Sequence, residues 1–365
     1  MVTVSISELK KFLHNSKYIK DRRVLPILYY VKLQCVGERA ALTKSNLNSF
    51  LITEIDAGFD EDCTILIEEQ SLVGCVNFSR KNDVKISIQG KNVVLDDGET
   101  ITKCQAADIK TFPSVEFPHD PKKFRLDAEV ISSLTLAKNH TLSGGETGLR
   151  DWKYFVHIVE MNKKKCVVGA NGPISYFRYF KGDLPKFSLD PDVVSIISKF
   201  PELEYYSSDR YDYFTCLDTT FGFVKAEIKL PELETVVSKF KSDDSFVVDR
   251  KEIIRLCEAA IFMNSSALAP EVSLKEVDEK LTLTFEDVSG GRGKRQFLDF
   301  ENKTYSVGEI MFQPKNMITA LSSLDSDKVK ISKIFGNMII TTDEDKNYIG
   351  SVMELARLIP QSQPA

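Results

Sequence analysis

No stretch of the chain approaches the ~18 consecutive apolar residues that a membrane span requires, so no membrane segment is expected. The opening Met1-Val2-Thr3-Val4-Ser5 offers no basic segment followed by an apolar one, so no secretory leader is expected either. Cysteines are few and unpatterned. The seven (Cys35, Cys63, Cys75, Cys104, Cys166, Cys216 and Cys257) are odd in number and form no C-x-x-C pair. That argues against a disulfide framework or a zinc site and for a reducing, cytoplasmic setting.

Catalytic patterns are equally scarce. The histidines (His14, His119, His140 and His157) have no H-E-x-x-H or other ligand spacing. The glycine-rich run at 143–148 lacks the strand–loop–helix context of a nucleotide site. The run at 289–294 fails as a P-loop, because Val288 stands where Gly is needed and Arg295 where Ser or Thr is needed. No G-x-S-x-G elbow occurs, and the acids Glu54, Asp56, Asp60, Glu61 and Asp62 lack calcium-loop spacing. Neither catalytic residues, nor a cofactor, nor a metal is expected.

What is present is a long repeat. The 365 residues allow two or three domains of ordinary size, and 42% hydrophobic with 28% charged residues suits ordinary cores. Residues 5–17 read as an amphipathic helix, with Leu9, Phe12 and Leu13 on one face and Ser7 as a candidate N-cap. Similar segments begin at Leu126 and Val248. Their early glutamates, Glu8, Glu129 and Glu252, are spaced by 121 and 123. A second helical landmark, Leu72, Val193 and Met317, recurs at 121 and 124. After each comes a strand-like run (84–88, 203–206, 329–332) and then another (92–95, 213–217, 337–341).

A period this long is too great for a solenoid repeat and suits a whole domain. The chain is therefore expected to be α+β: three repeated domains, each with two helices packed on antiparallel sheet. Residues 26–33 and the pair 275–277 and 281–285 read as antiparallel strands. The expected domains are 1–118, 119–242 and 243–365, the last ending in a short tail, 356–365. Repeated architecture without catalytic patterns points to a ring-forming or partner-binding protein.

Charge is uneven. The net is −5, yet residues 7–23 carry six basic residues against two acids, while 54–69 carry seven acids and no Lys or Arg. An acidic protein with one basic helix can still present a face to phosphates. The other two first helices are not clearly basic.

At this point the residues resemble the bacterial DNA polymerase III β subunit, the β sliding clamp. Arg22-Arg23-Val24-Leu25-Pro26-Ile27-Leu28 is similar to that family's R-x-x-L-P-I-L run. Thr43-Lys44-Ser45-Asn46-Leu47 stands where the family has T-x-T-D-L, and Phe112-Pro113 in its A-D-F-P region. Val168-Gly169-Ala170-Asn171-Gly172-Pro173 sits at its A-T-D-G-H-R, Leu230-Pro231-Glu232-Leu233 at its F-P-D-Y, and 348–355 at its closing Y-V-V-M-P-M-R-L. The matches run the length of the chain, in order.

The resemblance implies the clamp fold, closed as a head-to-tail homodimer of six domains around double-stranded DNA. It implies tethering of the DNA polymerase III α subunit, the clamp loader and other proteins with a clamp-binding motif. Arg22 would reach DNA; Lys10, Lys11, Arg23 and Lys138 join it by charge and position. A partner-peptide pocket between the second and third domains would involve Ala170, Gly172, Pro173, Ile174, Pro231, Thr235, Val236, Val352, Met353 and Leu355. Ile261 and Phe262 match apolar residues at the family's dimer contact and fit a core equally well. Pro173-Ile174 replaces the family's His-Arg, and Thr235 an expected Arg, so the pocket is expected to be more apolar. Leu358 and Ile359 in the tail would let it fold over the pocket and compete with partners. The alternative is a repeat-built scaffold that never encloses DNA.

Overall fold

The structure, a computed structural model, describes residues 1–20, 25–115, 117–142, 151–240, 245–263, 270–278, 280–286, 293–301, 308–334 and 336–355. Among them are seven α-helices: α1 (Ile6–Ser16), α2 (Glu69–Phe78), α3 (Ala128–Lys138), α4 (Pro191–Ile197), α5 (Leu233–Ser238), α6 (Arg250–Met263) and α7 (Pro314–Leu321). None is long and apolar enough to cross a membrane.

The expected element order holds. Glu8, Glu129 and Glu252 lie in the first turns of α1, α3 and α6, and Leu72, Val193 and Met317 lie in α2, α4 and α7. The helix pairs α1–α2, α3–α4 and α6–α7 pack side by side. In α1 the i, i+3 spacing buries Ile6, Leu9 and Phe12 and leaves Lys10 and Lys11 outside. Each such buried side chain contributes about 2 kcal/mol. Ser5, not Ser7, is the N-cap: its Oγ accepts from the Glu8 amide at 3.2 Å. Residues 26–33 also divide differently from expectation. Pro26, with fixed φ and no N–H, starts a 3₁₀ turn (Pro26–Tyr29), and the strand begins only at Tyr30.

Each repeat supplies strands to two half-sheets. In one half, the strand before the first helix pairs antiparallel with the strand after the second: Val2–Ser5 with Asp83–Gln89, Phe124–Leu126 with Leu203–Ser207, Phe246–Asp249 with Lys328–Ile334. That half continues to a third strand after the second helix: Ile101–Gln105, Thr219–Val224 or Tyr348–Met353. The other half ends in the third strand of the hairpins after the first helix: Ser49–Ile55, Ile174–Phe180 or Gly293–Leu298.

Half-sheets of successive repeats join. Thr219–Val224 pairs antiparallel with Ser49–Ile55, completing an eight-stranded sheet, and Ile174–Phe180 pairs with Tyr348–Met353, completing a nine-stranded one. The compact units consequently cut across the repeats. One comprises residues 1–127 with 199–225; the other comprises 128–198 with 226–365. Ile101–Gln105 remains the end strand of a five-stranded sheet in the first unit. Gly293–Leu298 remains the end strand of a four-stranded sheet in the second.

The joined sheets are tightly seated. A Cβ on Gly169 would lie 2.1 Å from the Ala137 carbonyl oxygen, so α3 rests directly on that strand. A Cβ on Gly222 would fall within 2.0 Å of the Phe50 ring, across the junction of the eight-stranded sheet.

Candidate functional site

Of the basic residues, Lys10 projects from α1 into solvent and has no ion pair among the described residues. Lys11 is tied to the Asp218 carboxylate, whose hydrogen bond raises the Lys11 pKa above its ordinary value. Lys138, at the end of α3, donates from Nζ to the Ser195 hydroxyl of α4 at 3.1 Å. Arg22 and Arg23 lie outside the described residues.

A cluster that the sequence reading did not single out lies in the first unit. The Lys17 and Lys199 ammonium groups stand 5.3 and 5.2 Å from the centroid of one ring, Tyr18. Lys17 was counted in the basic stretch, but Lys199 comes from another repeat and no local pattern joins them. Lys44, by contrast, is buried and neutralised by Glu69 at 2.8 Å.

The residues expected to form a peptide pocket fall on two faces of the nine-stranded sheet. Strand alternation decides which. Ile174 and Val352 are directly paired and only 2% and 0% exposed. They share their face with Tyr176, Gly350 and Tyr348. Tyr348 donates to the Ala320 carbonyl of α7 at 3.1 Å, and this is also the face on which Gly169 meets α3.

The opposite face carries Val168, Ala170, Ser175, Phe177, Ile349, Ser351 and Met353. Ser175 and Ser351 are hydrogen-bonded at 2.6 Å, and α5 covers part of this face. Leu233 and Val237 of α5 are buried with Val159, Met161, Cys166, Val168 and Phe177, flanked by Tyr179, Leu230, Phe240 and Ile349. The outward turn of α5 leaves Thr235 and Val236 exposed, as is Pro231 before it. Thr235 donates to Glu232 at 3.3 Å.

Met353 ends its strand exposed, and its amide donates to the Pro173 carbonyl at 2.7 Å. Gly172 beside it has φ of +99°, which requires glycine in this turn. Leu355, half-buried, donates its amide to Met311 at 2.7 Å. Pro173, Met353 and Ala170 are thus brought together by strand pairing. Tyr179 and Phe240 were not anticipated, because their relevance depends on how α5 packs. The tail, 356–365, lies outside the described residues.

At the end of α6, Phe262 is 83% exposed and Ile261 partly so, while Ile253, Leu256, Cys257 and Ala260 form the buried stripe. Phe262 is therefore not a core residue of this chain. On α2, the final Phe78 is likewise 84% exposed. Two deeply buried histidines serve the scaffold. His157 Nε2 donates to the Trp152 carbonyl and Nδ1 accepts from Ser188, both at 2.8 Å, and burial pulls its pKa down to about 4.

This architecture has solved counterparts. It matches the DNA polymerase sliding clamp of Bacillus subtilis with a TM-score of 0.82 at 14% identity, covering 98% of this chain and 99% of that one. Residues 3–121 match the family model for the N-terminal domain of the DNA polymerase III beta subunit. The chain has the sliding-clamp fold. The Caulobacter crescentus clamp gives a TM-score of 0.83 at 14% identity, covering 98% and 99%. A Pseudomonas aeruginosa clamp solved bound to griselimycin gives 0.79 at 14%, covering 97% and 99%. No curated protein sequence matches the chain. The match to the beta-subunit N-terminal model thus covers the first repeat, and the clamp fold extends through all three repeats.

Proposed function

We propose that the chain is a DNA sliding clamp: a non-catalytic, cytoplasmic ring that encircles duplex DNA as a head-to-tail homodimer. Its domains are then 1–118, 119–242 and 243–365. The observation that carries the proposal is the bookkeeping of sheet edges. Repeat 1 joins repeat 2, and repeat 2 joins repeat 3, through equivalent strands. Among the described residues, the same operation leaves Gly293–Leu298 of repeat 3 and Ile101–Gln105 of repeat 1 without their equivalents. Pairing these between two copies, twice, satisfies both edges and closes a ring of six repeats. Exposed Phe262 on α6 and Phe78 on α2 belong to the same two repeats and supply apolar contact area for that joint.

Lys10, Lys11 and Lys138, with Lys17 and Lys199 around Tyr18, would present positive charge to the phosphates, and Arg22 and Arg23 add to it. Topological enclosure needs only weak phosphate contacts, which allow sliding, and no reacting group. A short linear motif of the polymerase α subunit, the clamp loader or another partner would dock on the surface around Pro173, Met353, Val236 and Ala170.

The test is retention on DNA. After loading, the protein should stay on circular duplex and run off linear duplex. Loss of this difference would overturn the proposal and favour a scaffold that does not enclose DNA.

A further inference from the structure

Cys35 and Cys63 stand directly opposite each other on neighbouring antiparallel strands, Tyr30–Val36 and Cys63–Glu68. No other two cysteines are paired in register among the described residues. Opposed residues in such a ladder have Cα atoms about 4.5 or 5.5 Å apart and side chains on one face. A disulfide takes Cα separations of about 4.4–6.8 Å. The register is held just beyond the pair, where the Gly37 amide donates to Asp62 Oδ1 at 2.8 Å.

We infer that Cys35 and Cys63 form an oxidisable dithiol that closes to a cross-strand disulfide when the protein meets a peroxide. Both are free thiols in the structure, Cys35 fully buried and Cys63 partly exposed. Cys35 is closed off from solvent, so it is not the group that meets the oxidant, and the same burial, with the Cys63 sulfur beside it, pushes its thiol up to about 12. Cys63 is the accessible sulfur. It displaces water from hydrogen peroxide to become a sulfenic acid; the S–O bond forms as the O–O bond breaks. The Cys35 sulfur then attacks the Cys63 sulfur, forming the S–S bond and releasing the sulfenic oxygen as a second water. Two thiols are oxidised by two electrons and one peroxide is reduced.

The bond would close a loop with 27 residues inside it. It would staple Cys63–Glu68, the end strand of the eight-stranded sheet, to its neighbour. That strand runs directly into α2, so oxidation would fix the start of α2 as well.

The test uses the full chain, treated with hydrogen peroxide and digested with trypsin without reduction. The expected product is a cross-link between the peptides 33–39 and 45–80, two hydrogens lighter than their sum. It should vanish on reduction and in Cys63→Ala, and persist in Cys75→Ala, which removes the other cysteine of the larger peptide. The oxidised protein should melt higher than the reduced one by on the order of 5 °C. Oxidation of Cys63 to sulfinic or sulfonic acid without the cross-link would overturn the inference. So would a cross-link that survives Cys63→Ala.

Discussion

Lys11 of the first helix is held by Asp218, a turn residue more than 200 positions later in the sequence. The pair joins repeat 1 to repeat 2 within one compact unit, and it occupies one of the cations of the proposed DNA-facing set. Asp218→Asn should release that cation. Binding to a short duplex should tighten, and the slope of log K against log salt should steepen by about one charge. Titrations at several salt concentrations check this; an unchanged slope means Lys11 does not face DNA.

The two faces of the nine-stranded sheet should respond differently to mutation. Met353→Glu changes an exposed side chain and should abolish binding of a clamp-binding peptide with little change in stability. Ile174→Ala opens a cavity beneath α3 and α7 and should cost about 2–4 kcal/mol of stability. Calorimetric peptide binding and urea melts of both variants separate the two. A stable Ile174→Ala that no longer binds would place Ile174 in the pocket.

Phe262→Glu puts a charge on an exposed side chain, so folding should be kept. Dimerisation should weaken by tenfold or more if Phe262 reaches an apolar contact of the joint. Light scattering at micromolar concentration should show monomer where the parent shows dimer. A dimeric variant that still stays on circular DNA would remove Phe262 from the joint.

His157 sets an acid limit. Its pKa is about 4 when folded, below the ordinary 6.5 of the free side chain. The unfolded chain therefore binds more protons between these values, and stability falls as pH drops from about 6.5 towards 4. The loss is about 3 kcal/mol when complete. His140 is shifted the same way and adds to it. Chemical denaturation at pH 7 and pH 5 should show the drop, and His157→Asn should flatten it. An equal pH slope in that variant would refute the assignment.

Much of the fold was legible because the repeat is written in residues with local signatures. Glu8, Glu129 and Glu252 mark helix starts whose first turns favour acids, and Leu72, Val193 and Met317 are buried or half-buried on the second helices. Ser7 was misread as a cap because Ser5 and Ser7 are both plausible; the choice depends on where the strand ends, which pairing with Asp83–Gln89 decides. Strand identity was also legible, but which face each residue occupies was not. Ala170 and Ile174 look alike as apolar neighbours of one turn, yet alternation and α5 send them to opposite sides. Lys199 was invisible as a partner of Lys17 because only tertiary structure brings them to one ring.

The junction between Ser49–Ile55 and Thr219–Val224 also sets a timetable for synthesis. The first unit needs residues 199–225 to complete its sheet. At roughly 5–20 residues per second, Ser49–Ile55 waits on the order of ten to thirty seconds on the ribosome for its neighbour. During that interval a nascent chain exposes an unpaired strand edge. A pause in translation shortly before Thr219 would lengthen that exposure, and one after Val224 would shorten nothing.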